Sequence, residues 1–172
     1  MSLKNINTDR LILIPITLNL AKDLMAGSND ELKKLGIKPN ENWPTSDTKD
    51  ILPIISKNLE KDKIPSGFET WPIIRKDTMQ VIGDIGFHGK PNENGEVEVG
   101  YGIVENQRKQ GFGFEALSAI IDWANLQKNV SIIKAECLIE NKPSLRMLEK
   151  VGMKEVDRDN ELIYWEFIKP VL

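Results

Sequence analysis

The chain has 172 residues, a length that suits one domain with a substantial core, and its composition is that of an ordinary soluble globular protein. Its net charge of −3 excludes a chain-wide basic footprint for nucleic acid, and no apolar run approaches membrane-spanning length. The single cysteine, Cys137, excludes an intrachain disulfide.

That cysteine lies in an apolar strand pattern, where a buried, inert thiol is expected. The chain starts without a signal-peptide core, and a reducing cytosol fits the cysteine usage, so a cytoplasmic location is expected. One histidine and one cysteine, with no paired spacing, offer no metal-ligand cluster.

In chain order, Leu11 to Ile14 reads as a strand ended by Pro15. Thr17 can cap a helix over Leu18 to Ala26, with Leu20, Leu24 and Met25 inward, and a short helix follows at Asp30 to Leu35. Ile37 to Ser46 is a loop. The next helix is expected from about Ile51 to Lys61, because Pro53 is tolerated in a first turn, where its missing N–H would be orphaned anyway. Phe68 to Arg75 and Gln80 to Phe87 read as strands joined by a turn at Lys76–Thr78, with Pro72 marking an edge or a bulge. Gly89 to Gly95 is a hairpin loop leading into a central strand, Val97 to Val104. A helix from Phe112 shows apolar residues at Leu117, Ile120, Ile121 and Ala124, the spacing of one buried face. Ile132 to Ile139 is a strand, and Asn141 opens a helix with Pro143 in its first turn and Gly152 at its end. Met153 to Val156 and Leu162 to Ile168 make a final hairpin across Arg158–Asn160. The sum is an α+β chain with a mixed central sheet and helices on both faces.

The stretch between the central strand and its helix carries the chemistry. Gly111 and Gly113 let backbone approach a ligand closely. The first N–H groups of the helix have no partner inside it, and the dipole there favours negative charge. With Arg108 and Lys109 alongside, this is a site for a phosphate or diphosphate. Gly111 to Ala116 also fits the dinucleotide fingerprint, with Glu136 about 20 residues on as a ribose carboxylate. Two features argue against that rival. Glu105 to Gln110 separate strand from turn, and Glu96 and Glu98 alternate with Val97 and Val99 where a doubly covered parallel strand would be apolar throughout.

Arg108-x-x-Gly111-x-Gly113 after such a strand resembles the acyl-CoA loop of GNAT N-acetyltransferases. Thr8 to Leu13, Val81 to Phe87 and Glu140 to Gly152 fit the same family in order and spacing, and together are similar to the branch containing ribosomal-protein N-terminal (RimJ/RimL-like) acetyltransferases. The resemblance implies the acyl-CoA N-acyltransferase fold over one domain, residues 1–172, and acetyl-CoA as co-substrate without a metal. It implies direct transfer to a primary amine, either a protein N-terminal amine or a small molecule. Members of the branch are often dimers, so a homodimer is allowed; neither nucleic acid nor membrane is implied as a partner. The same resemblance has two parallel strands parting to admit the pantetheine arm. Backbone groups of Ile103 and Val104 would pair with it, and N–H groups of Arg108, Lys109, Gln110, Gly111, Phe112, Gly113 and Phe114 would hold the diphosphate. Asn141 would touch the cofactor arm, although as a helix cap it needs no ligand.

Acetyl transfer needs a neutral amine, donors for an oxyanion and a proton for the departing sulfur. A terminal amine titrates near roughly 8 and a lysine near roughly 10.4, so the former needs little help from a base. Glu98, beside the expected thioester, is the first candidate base; Glu96 shares its face but lies further off. His88, the only histidine, is the alternative, through its near-neutral pKa. The tyrosine that many family members carry late in the last helix is Leu148 here, so that role does not transfer. Ser144 matches the serine to which the ribosomal-protein branch assigns the sulfur, and a hydroxyl there would hydrogen-bond a thiolate rather than fully protonate it. The missing tyrosine keeps a catalytically idle acyl-CoA-binding regulator as the alternative. Trp43, Phe68 and Trp71 fall where the family builds its acceptor pocket, with packing the simpler role. An acceptor pocket for a polycation should be acidic; Glu41, Asp47, Asp50 and Glu69 are at hand but scattered.

Overall fold

The computed structural model describes residues 3–170, so the first two residues of the N-terminal stretch lie outside it. The strands are β1 (Ile6–Asn7), β2 (Leu11–Leu13), β3 (Thr70–Arg75), β4 (Gln80–Phe87), β5 (Glu96–Ile103), β6 (Ile132–Leu138), β7 (Lys154–Arg158) and β8 (Leu162–Ile168), with apolar alternation clearest along β5 and β6. The helices are α1 (Leu18–Met25), α2 (Asp30–Lys34), α3 (Ser46–Asp62), α4 (Phe112–Asn125) and α5 (Lys142–Lys150), with a 3₁₀ turn at Glu105–Gln107. The strands form one sheet in the order β1-β2-β3-β4-β5-β6-β8-β7. Every neighbouring pair is antiparallel except β5 and β6.

Both faces of the sheet are covered, as period-two alternation along β4 requires. Phe87 points to α4, where its ring lies 6.1 Å from that of Trp123. Asp84, an odd number of residues away, points to the opposite face and accepts a hydrogen bond from Thr48 of α3 at 2.6 Å. On α4 the expected face is buried: Leu117, Ile120, Ile121 and Ala124 are all 3 % exposed or less. Burying each leucine or isoleucine contributes about 1.5–3 kcal/mol.

Three expectations need correction. Met25 is half exposed, because the buried face of α1 is Leu20, Ala21 and Leu24, and a residue next to Leu24 turns away. The helix expected from Ile51 starts at Ser46, capped by the Thr45 side chain on the Thr48 N–H. Pro53 therefore sits in the interior of α3 and leaves the Lys49 carbonyl without its i+4 donor. Of the two readings of Pro72, the bulge fits and the edge does not: β3 lies between β2 and β4, with a register shift one residue on, between Ile73 and Ile74. Its missing N–H faces the side where β2 has already ended, since Ile14 N–H donates to the Pro72 carbonyl there. The two-residue strand β1 is too short to carry an alternation.

Candidate active site

The sheet opens at its middle. β5 pairs with β6 only from Glu96↔Ile132 to Glu98↔Lys134, whereas it pairs with β4 from Val99 to Ile103. In an antiparallel ladder the N–H and C=O of one residue face the same neighbour. The Glu98 carbonyl accepts from His88 and the Val104 N–H donates to Ile82, so the even-numbered residues face β4. Val99, Tyr101 and Ile103 therefore present their main-chain groups to the gap. The expected pairing through Val104 is corrected by this: its N–H is engaged by Ile82 and its carbonyl by Gln107.

The loop beyond the gap is built around left-handed backbone at Lys109 (φ 64°) and Gly111 (φ 84°). Among the described residues the N–H groups from Lys109 to Phe114 have no hydrogen-bond acceptor, while that of Arg108 is taken by the Glu105 carbonyl. Arg108 folds back, its Nε donating to the Ile103 carbonyl at 2.8 Å. It closes the end of β5 rather than standing free. Arg10 braces the loop from the other side, donating to the Gln110 carbonyl at 2.8 Å and lying 4.3 Å over the Phe112 ring. Gly113 lies against α5, where an added Cβ would sit 3.2 Å from Met147 Sδ.

The gap is lined by Glu98, Tyr101, Cys137, Asn141 and Ser144, in a cleft of about 310 Å³. Glu98 and His88, expected as alternatives, form a pair: Oε2 lies 2.6 Å from Nδ1. Glu96 is engaged elsewhere, by Asn92 at 3.0 Å and Lys134 at 3.3 Å, which hold its carboxyl below the usual range. Ser144 is buried, and its hydroxyl hydrogen-bonds that of Tyr101. Burial pushes the Tyr101 phenol up, so it stays protonated at neutral pH. Tyr101 was missed from sequence because it reads only as an aromatic strand residue. Alternation places it on the face opposite Glu98, so the phenol and the carboxylate approach the gap from its two sides. Asn141 caps α5, accepting from the Ser144 N–H at 3.2 Å, and its amide N–H₂ remains a free donor. Leu148 is fully buried core. The Cys137 thiol accepts from Trp165 Nε1 at 3.4 Å.

A second cavity of about 320 Å³ lies on the α3 face of β4 and β5, and His88, Gly100 and Tyr101 line it as well as the cleft. Its walls include Asp47, Thr48 and Ile51 of α3 and Asp84 of β4. Asp84 Oδ2 accepts from Trp43 Nε1 at 2.7 Å and from Thr48 at 2.6 Å. Burial raises its pKa, those donors oppose the rise, and Asp47 adds to it. Phe68 and Trp71 are core, each packed edge-on against Trp123, with ring centroids 5.2 and 5.5 Å away. Asp50, Glu41 and Glu69 do not line either space. Among the described residues no group of three or more His, Cys, Asp or Glu could hold a metal, and no helix is long and apolar enough to cross a membrane.

The profile of an acetyltransferase (GNAT) domain matches residues 10–154. The chain is 32% identical over 163 residues to the uncharacterized N-acetyltransferase YjdG of Bacillus subtilis (strain 168), covering 95% of this chain and 97% of that one. It is also 32% identical to YoaA of the same organism, likewise an uncharacterized N-acetyltransferase, over 87% and 82% of the two chains. Among solved structures it is similar in fold to RimL, a ribosomal alpha-N-protein acetyltransferase in complex with coenzyme A. That match has a TM-score of 0.66 and 15% identity, and covers 96% of this chain and 98% of the other.

Proposed function

The chain belongs to the GNAT acetyltransferase family, and from that premise we propose that it uses acetyl-CoA to acetylate a primary amine by direct transfer. The residues present suit that co-substrate. A strand edge with unpaired main-chain groups fits the amides of the pantetheine arm, and a run of free N–H groups at a helix N-terminus fits the diphosphate. When bound, acetyl-CoA supplies the acyl group as a thioester. The observation that carries the reading is the meeting of the two spaces at His88 and Tyr101: one suits the thioester, the other an acceptor.

The chain's own groups then have distinct tasks. The Glu98–His88 pair takes the proton that the amine gives up as its C–N bond forms. Tyr101, polarised through Ser144, returns a proton to the sulfur as the C–S bond breaks. Asn141 N–H₂ orients the cofactor arm. The likeness to the ribosomal-protein branch rests on the motifs alone, since RimL shares the fold at 15% identity; a protein N-terminal amine stays within the proposed class. Incubation with acetyl-CoA and a panel of amines and N-terminal peptides tests the reading through release of free thiol. Amine-dependent release is expected. Stabilisation by acetyl-CoA with no release from any amine would make the protein an idle acyl-CoA binder instead.

A further inference from the structure

The acceptor-side cavity has a charge and a shape that narrow the amine. Its ionisable lining is Asp47, Asp84, His88 and Tyr101, with no lysine or arginine. The floor is glycine: Gly100 and Gly102 of β5 pair across with Gly86 and Asp84 of β4. At Gly102 an added Cβ would meet nothing within 4 Å, so the space beside Asp84 is kept open by the absence of a side chain. Ile51 and Phe87 add apolar wall. Asp84 is held in place by Trp43 and Thr48, both on Oδ2, so Oδ1 is without a hydrogen bond among the described residues. Asp47 is close enough to repel it, a repulsion that a cation between them would relieve. His88, the residue just past β4, is four residues on from Asp84 and shares its face, about 13 Å further along the chain's direction.

Resting on the transferase reading above, we propose that the acceptor is a dication. Its reacting amine lies at the His88–Glu98 pair, its second cationic group is held by Asp84 and Asp47, and a short methylene chain crosses the glycine floor between them. The neutral amide product loses one of the two attractions, which favours its release.

The test compares α,ω-diamines of graded length with monoamines of equal length, and N-terminal peptides with and without a basic second residue. For the best diamine kcat/KM should exceed that of its monoamine by about tenfold or more, chiefly through KM, as expected for one charge-assisted contact. If basic peptides show the preference and diamines do not, the methylene-linked dication is overturned in favour of a basic peptide. Asp84→Asn and Asp47→Asn should each shrink the ratio, and Gly102→Val should lower diamine turnover by filling the floor. Should Asp84→Asn fail to fold, the other two variants carry the test. Equal rates for mono- and dications, or an unchanged ratio in folded variants, overturns the inference and leaves the transferase intact. Thiol release from no amine overturns the transferase itself.

Discussion

A carboxylate 2.6 Å from an imidazole nitrogen can divide the acceptance of a proton between two groups. Either residue alone is then an incomplete base, and the two must act as a unit. Glu98→Gln and His88→Ala are each expected to lower kcat/KM by about 10²–10⁴. The double variant should lose far less than the product of the two, which a double-mutant cycle measures. A rate untouched in Glu98→Gln but abolished in His88→Ala would give the role to the histidine alone. Tyr101→Phe removes a proton and little volume. It should cut kcat by about 10–100-fold while leaving the thermal shift produced by acetyl-CoA in place. A loss of that shift would make Tyr101 a binding residue. Asp84 was invisible to sequence reading for a physical reason: within its strand it is one polar residue among apolar ones, and the Trp43 and Thr48 side chains that fix it lie 41 and 36 residues away.

The start of α4 was the most legible element, because basic residues, two glycines and a helical apolar period stand side by side in the sequence. What was not legible is how it is braced. Glu115, in the first turn of α4, accepts from the Arg10 N–H at 2.9 Å, from Arg10 Nε at 2.8 Å and from the Thr8 hydroxyl, more than a hundred residues away in the chain. Burial alone would raise its pKa, but the bonds from Thr8 and Arg10 outweigh that and hold it below the usual range. A depressed carboxyl pKa contributes stability above the unfolded value, and that stability is lost as pH falls through the folded one. Glu115→Gln should therefore cost about 1 kcal/mol near neutrality, modest because Arg10 is half exposed, and nothing once the wild-type carboxyl is protonated. Denaturant midpoints at neutral and acid pH measure the difference. Gly111 tests the loop directly. At φ 84°, alanine costs about 1 kcal/mol or more, and its Cβ would press on Arg10 Nη2 at 3.2 Å. Gly111→Ala should lower both stability and acetyl-CoA affinity.

At the scale of the molecule, the proposed function depends on a sheet that fails to close. The succession of strands and helices and the mixed sheet covered on both faces were legible in alternation and turn chemistry, but the spatial order, with β8 set between β6 and β7, was not. The gap itself leaves no mark in composition, because β5 and β6 both continue as strands after they part. The family resemblance implied such a parting, and the register, ending at Glu98↔Lys134, locates it. A half-paired sheet exposes main-chain groups that lack partners until something fills the gap, which makes the open form the less stable one. A ligand that binds only the native state stabilises by mass action, by about 2.7 kcal/mol at a hundred times its Kd. For a domain of this size each kcal/mol raises Tm by about 2–4 °C. Acetyl-CoA at that excess should thus raise Tm by about 5–11 °C, and in hydrogen exchange the protection should concentrate at Val99 to Phe114 and at β6. NADH carries a diphosphate but no pantetheine arm, so it should not reproduce the protection along β5. Equal protection of β5 by NADH would mean that the gap takes something other than pantetheine, and would return the dinucleotide reading of the Gly111–Ala116 loop to contention.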